Sequence, residues 1–198
     1  MELGRTYSPN VEISALINLG FDYGAAGQHE RALASLEPTL ERVEQEALGS
    51  HRWRWRLKLL IGLAELYLTT GATEQALHYV DAGLQDALAT SSLKYMAKGR
   101  AVRGKILAAL GDSDAAGFEL QRALTFAEQV QSPTLLYPIA YDLGQWHERV
   151  GKEWEAEELY RRAKAAIEEM ATVVEDQALR SIFLQSAPVQ VIYAHIGS

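Results

Sequence analysis

The chain has 198 residues, 48% hydrophobic and 23% charged, which is enough apolar material for an extended core. It has no cysteine, so disulfides, thiolate metal sites and cysteine nucleophiles are excluded. Its net charge of −7 argues against a nucleic-acid surface, which needs a basic face. No run of about 18 apolar residues would span a bilayer, and the opening MELGRTYSPN lacks the basic start and apolar stretch of an export signal. These features predict a cytoplasmic chain whose partner is neither a membrane nor a nucleic acid.

Four glycines set the organisation: Gly27, Gly71, Gly111 and Gly151, separated by 44, 40 and 40 residues. A fixed period of this size predicts a repeat architecture. The first unit, about 10–48, carries Ile13, Leu16, Ile17, Leu19 and Phe21 at helical spacing, then Gly27, then Ala32, Leu33, Leu36, Leu40 and Val43. The second, 51–90, runs Leu59, Leu60, Leu63, Leu66, Gly71, Ala76, Leu77, Val80 and Leu84. The third, 92–130, runs Ala101, Val102, Ile106, Leu107, Gly111, Ala116, Leu120 and Leu124. The fourth, 133–175, runs Leu136, Ile139, Ala140, Leu143, Gly151, Ala156, Leu159, Ala163, Ala166 and Met170. Spacings of three and four make each unit a pair of amphipathic helices, with the glycine ending the first helix where a positive φ costs it little. Gly20, Ala64, Gly104 and Gly144 recur seven residues before each turn glycine, and Ala32, Ala76, Ala116 and Ala156 five after it. These small residues predict the inner seam of each hairpin. A last amphipathic stretch, 177–186, with Leu179, Ile182 and Phe183, predicts a capping helix over the final apolar face. Pro188 then reads as a break, and the tail VQVIYAHI is left unplaced.

The spacing of Leu, Gly or Ala, an aromatic, Gly and Ala resembles the tetratricopeptide repeat (TPR) family. Repeat one supplies Leu16, Leu19, Gly20, Tyr23, Gly27, Ala32 and Leu36, and repeat two Leu60, Leu63, Ala64, Tyr67, Gly71, Ala76 and Val80. Repeat three departs with Arg100 and Arg103 at the apolar positions, and repeat four has His147 at the aromatic one. The period exceeds the family's usual ~34 residues. That places the chain beside the long-period arrays near the C-terminal end of large bacterial signalling proteins. The resemblance implies an all-α fold: a right-handed α-solenoid of four antiparallel helix pairs plus a C-terminal capping helix, forming one domain over 1–198. It also implies a protein-interaction scaffold that binds a peptide or helix in a concave groove, as a regulatory module of such a signalling protein. Self-association as a homodimer and small-ligand sensing are the competing expectations.

The same resemblance places Ser14, Ile17, Phe21, Lys58, Ile61, Glu65, Lys98, Ala101, Lys105, Tyr141, Gln145 and Glu148 on the groove. The partner-binding set drawn from them is Phe21, Lys58, Glu65, Lys98, Lys105, Tyr141, Gln145 and Glu148. The family's carboxylate clamp is not expected, because Ile17 and Phe21 stand where it needs Lys and Asn, and Val102 where it needs Arg. The segment from Gly99 to Lys105 imitates a phosphate-binding loop, but Ile106 follows it in place of Ser or Thr and it falls inside a predicted helix. The cluster His51-Arg-Trp-Arg-Trp-Arg-Leu-Lys58 reads as a helix that buries Trp53 and Trp55 with its arginines solvated; a docking patch is the other reading. Arg161 and Arg162 are expected to pair with Glu157 and Glu158 at i,i+4. The histidines (His29, His51, His78, His147, His195) lack metal-ligand spacing and no catalytic order is present, so no enzyme activity, metal or cofactor is expected.

Overall fold

The structure, a computed structural model, describes residues 9–45, 49 and 52–196. His51, the expected boundary between repeats one and two, and the reading of residues 1–8 lie outside that set. Among the described residues the fold is all α, with ten helices and no strand: α1 (Pro9–Ala25), α2 (His29–Gln45), α3 (Arg52–Thr69), α4 (Thr73–Ala89), α5 (Leu93–Ala109), α6 (Ser113–Val130), α7 (Pro133–Arg149), α8 (Glu153–Val173), α9 (Gln177–Leu184) and α10 (Ala187–Ile196). Successive helices pair as hairpins, the α-solenoid class expected from the repeat. Helices of 17 or 18 residues joined by turns of two or three residues account for the 40-residue period. The chain divides into two compact units, Met1–Ser91 and Ser92–Ser198. The first holds α1 to α4 and the second α5 to α10.

Each hairpin turns in the same way. Gly27, Gly71, Gly111 and Gly151 have φ of +73°, +80°, +87° and +76°. At the first turn the Gly27 N–H donates to the Gly24 carbonyl (3.0 Å) and the Gln28 N–H to the Tyr23 carbonyl (2.8 Å); the other three repeat this pair of bonds. This double closure satisfies the last helical carbonyls while the chain reverses.

The turn fixes which residues face each other. Gly20 lies against Leu36, and Gly144 against Tyr160, each sixteen residues on. A Cβ at Gly20 would come within 2.4 Å of Leu36 Cδ2. Repeat two has the larger Ala64 and the smaller Val80 at the equivalent positions, both fully buried. The alanines Ala32, Ala76, Ala116 and Ala156 are buried as the seam requires.

Repeat three solves its seam with charge. Arg100 and Arg103 occupy the positions of the buried Leu60 and Leu63, and both donate to buried Glu119 at 2.7 and 3.1 Å. One carboxylate thus accepts from two guanidinium groups and offsets part of their charge beside an apolar seam.

In the first unit, Tyr67 donates to Glu37 and stacks on Tyr79 with ring centroids 5.4 Å apart. Arg56 joins α3 to Glu44 of α2 at 3.0 Å and to Asp86 of α4. The arginines of that segment are therefore not simply solvated. Trp53 is 39% exposed, with Arg54 over its ring, and Trp55 is half-buried. In the second unit, Arg161 pairs with Glu157 and Glu158, whereas Arg162 reaches across to Glu128 of α6 instead of Glu158.

The C-terminal cover differs from expectation. Leu179 and Ile182 are 59% and 65% exposed, and α9 buries no residue; Phe183 and Leu184 at its C-terminal end are partly buried against the core. The face of α8 is covered by α10, whose Val189 and Ile192 join Ala163 and Ile167 in the core. Pro188 lies in the first turn of α10, where its missing N–H costs nothing, so it begins a helix in place of ending one.

Two contrasts test this packing. Gly20→Ala should lower stability by about 1–3 kcal/mol through overpacking against Leu36, while Gly24→Ala, whose Cβ would find its nearest neighbours at 3.8 and 3.9 Å, should raise it by up to about 1 kcal/mol from helix propensity. Ile192→Ala should cost about 2–4 kcal/mol and Ile182→Ala under about 0.5 kcal/mol. Urea denaturation of the four variants reads all of these, and equal effects at Ile182 and Ile192 would reject α10 as the cover.

Candidate functional site

A groove runs between the parallel helices α1 and α3 of the first unit. On α1 it is bordered by Asn10, Ser14, Asn18, Phe21 and Ala25, spaced by three and four residues. On α3 the matching stripe is Trp55, Lys58, Gly62, Glu65 and Thr69. Phe21 crosses the groove and rests on Gly62, where a Cβ would come within 2.1 Å of the ring. The Lys58 ammonium donates to Asn18 Oδ1 at 3.0 Å and lies 5.1 Å from the Phe21 ring centroid.

Beyond Phe21 the groove deepens into a pocket of about 220 Å³ floored by Leu36 and Leu66. Gly20, Gly24 and Gly62 leave its walls without side chains, and Glu65, Thr69 and His29 also line it. Nδ1 of His29 is shielded from solvent and has no hydrogen-bond partner. Before Phe21 the groove is shallower and wider, about 470 Å³, with Asn10, Ser14 and Asn18 facing Trp55.

The second unit carries a different surface between α5 and α7. A pocket of about 230 Å³ is lined by Lys105, Leu120, Asp142, Gln145 and Arg149 among others. The Lys105 ammonium lies 3.5 Å from the Asp142 carboxylate, which is largely buried. Burial pushes the Asp142 carboxyl above its usual range, and Lys105 offsets part of the rise. Tyr141 and Glu148 face away from this pocket. Tyr160 of α8 donates to Glu148 at 2.9 Å, and His195 Nε2 of α10 lies 3.0 Å from the same oxygen. These bonds from His195 and Tyr160 hold the Glu148 carboxyl below its usual range. The His195 ring packs edge-on to Tyr141 and Tyr160, with centroids 5.8 and 4.6 Å away. Gln145 donates to the Tyr141 hydroxyl at 3.1 Å.

The structure therefore brings together Phe21, Lys58 and Glu65 in the first unit. In the second it places Lys105 and Gln145 in one pocket, and Tyr141 and Glu148 under α10. Lys98 is exposed on α5, two turns before Lys105. Ile17, Ile61 and Ala101, also expected on the groove, are buried instead. The open stripe on α1 runs one residue further round, through Asn18 and not Ile17. The segment from Gly99 to Lys105 lies within α5, so its resemblance to a phosphate loop has no loop behind it. Asn10, Asn18, Gly62 and Thr69 were missed, as was buried Asp142. The polar spacing of Asn10, Ser14 and Asn18 at every fourth residue was a signal that could have found the α1 stripe.

Residues 11–87, which span this groove, match the tetratricopeptide repeat family. The match covers 77 of the 198 residues and marks that stretch as TPR repeats. No curated protein sequence matches it. Among solved structures, the chain is similar to BtubC from P. vanneervenii, with a TM-score of 0.68 and 15% identity over 95% of this chain and 74% of that one. It is also similar to the Rap conjugation gene regulator of plasmid pLS20 in complex with the Phr* peptide, with a TM-score of 0.74 and 16% identity over 97% of this chain. It spans 53% of that regulator's length. Identities this low carry the fold alone. Among the described residues no helix of the chain is long and apolar enough to cross a membrane.

The Lys105–Asp142 pair yields a pH test. Replacing Lys105 with Met leaves Asp142 buried without its nearest cation, so its folded-state pKa rises further. A carboxyl with a raised folded pKa costs stability above its unfolded pKa, and the cost disappears where both states hold the proton. Lys105→Met should thus lower stability by about 1–3 kcal/mol near neutral pH, a penalty that shrinks as the pH falls through the carboxylate range. Thermal melts across that range check it.

Proposed function

We propose that the chain is a protein-interaction scaffold that holds an extended peptide or a helix in the α1/α3 groove. The observation that carries this reading is the groove's construction. Gly24 leaves room in an apolar pocket beside Leu36 and Leu66, and a ladder of Asn10, Ser14 and Asn18 continues it. Carboxamide and hydroxyl side chains both donate and accept, so they match a peptide backbone without demanding a sequence. The pocket beyond Phe21 takes one ligand side chain and supplies selectivity. A TPR array is suited to this work because stacking its repeats creates an extended binding surface. The Rap regulator that shares the fold was solved with a peptide bound. The 40–44-residue period supports the further assignment to a regulatory module of a bacterial signalling protein, and the acidic, cysteine-free composition supports a cytoplasmic setting.

A second reading, self-association as a homodimer, has its own observation: Leu179 and Ile182 on α9 and Val191 on α10 are exposed apolar residues on the terminal helices. Light scattering at increasing concentration separates the two readings, because groove binding requires no concentration-dependent mass.

Random peptides displayed on phage and selected against the chain test the groove directly. Gly24→Met, whose Cβ would meet nothing nearer than 3.8 Å, should fill the pocket, and Asn18→Ala should remove the centre of the polar ladder. Each is expected to weaken the selected peptides about tenfold while leaving the melting temperature within a few degrees. Affinity unchanged in both variants would place the binding surface elsewhere on the molecule.

A further inference from the structure

The pocket beyond Phe21 has a composition that restricts its ligand. Its floor is apolar, supplied by Leu36 and Leu66, and its volume of about 220 Å³ suits one aliphatic side chain. Its rim carries one carboxylate, Glu65, which is exposed and, among the described residues, makes no ion pair. Its wall holds His29, whose Nδ1 is sheltered from water and unbonded. Lys58 lies two helical turns before Glu65 on the same stripe, about 10 Å along the axis at 1.5 Å per residue. Its ammonium is held against Asn18 and the Phe21 ring. The groove is thus negative at the pocket and positive at the opposite end, in a chain whose net charge is −7.

Resting on the peptide-groove reading above, we infer that the partner is an extended peptide that inserts an aliphatic side chain into this pocket and places a lysine or arginine beside it, against Glu65. A second basic residue about three positions away is disfavoured, because an extended strand advances ~3.3 Å per residue and would bring it to Lys58. The recognised motif therefore has one basic residue next to an aliphatic one, and a neutral or acidic residue about three positions off. The protein's net negative charge favours approach of the basic end.

The probes are synthetic octapeptides carrying the sequences that phage selection enriches, measured by fluorescence anisotropy on the full chain. Wild type is expected to enrich Leu, Ile, Val or Met adjacent to Lys or Arg. Changing that basic residue to Glu should weaken binding at least about fivefold, the scale of an exposed ion pair. Glu65→Lys should reverse the preference, binding the Glu peptide better than the Lys peptide. Glu65→Gln, which keeps the shape, should remove the preference without reversing it. Peptides that lose affinity with Gly24→Met but ignore the charge at Glu65 would overturn the basic-residue inference and leave the groove reading standing. Peptides indifferent to both Gly24→Met and Asn18→Ala, or no enrichment at all, would overturn the two together.

Discussion

The constraint on which everything else depends is the glycine turn that closes each hairpin. Its positive φ and paired hydrogen bonds reverse the chain in three residues, and a turn that short leaves no freedom in register. Once the register is set, the residue seven before the turn glycine faces the residue nine after it. The small positions follow from that. Two 17-residue helices held at this distance have no room for side chains from both at the same level. Gly20 therefore accommodates Leu36, and Gly144 accommodates the larger Tyr160. The pair Ala64 and Val80 divides the volume differently within the same space.

Because the backbone is so regular, chemical variety can enter without disturbing it. Repeat three replaces two seam leucines with arginines and answers them with Glu119 at 2.7 and 3.1 Å. Such a triad stabilises little compared with an apolar seam, since the desolvation of three charges offsets most of the attraction. What it supplies is selectivity: a helix bearing Arg100 and Arg103 pairs well only with one bearing an acid at position 119. A repeat array benefits from that, because its helices resemble one another enough to pair out of order.

Much of this was legible in the sequence because it depends on local backbone chemistry. A glycine at fixed period, an alanine five residues on and a small residue seven before it are demands of one turn, and they reported the hairpins with their register. What was not legible depends on neighbours distant in sequence. Leu179, Ile182 and Phe183 form an apolar stripe on α9, yet amphipathicity marks a face and not its partner; Val189 and Ile192 reached the core first. The expected stripes held at Ser14, Phe21, Lys58 and Glu65 but slipped by one residue between them, which exchanged Ile17 and Ile61 for Asn18 and Gly62. The family geometry gave the correct helices and approximate stripes. Only the packed hairpins show that a bare Gly62 receives Phe21 and so divides the groove into a polar channel and an apolar pocket.

The two units differ most in how their inner-face charges are satisfied. In the second, Lys105 is spent on Asp142, and Glu148 is held by Tyr160 and His195 of the chain's own C-terminal helix. A ligand binding there would have to replace bonds already made before any gain is counted. In the first, Glu65 stands at the rim of an open pocket, and His29 presents a sheltered nitrogen without a partner. A ligand there gains contacts and gives up little beyond water. The balance of exchange, more than the number of polar groups, favours the proposal that recognition centres on α1 and α3.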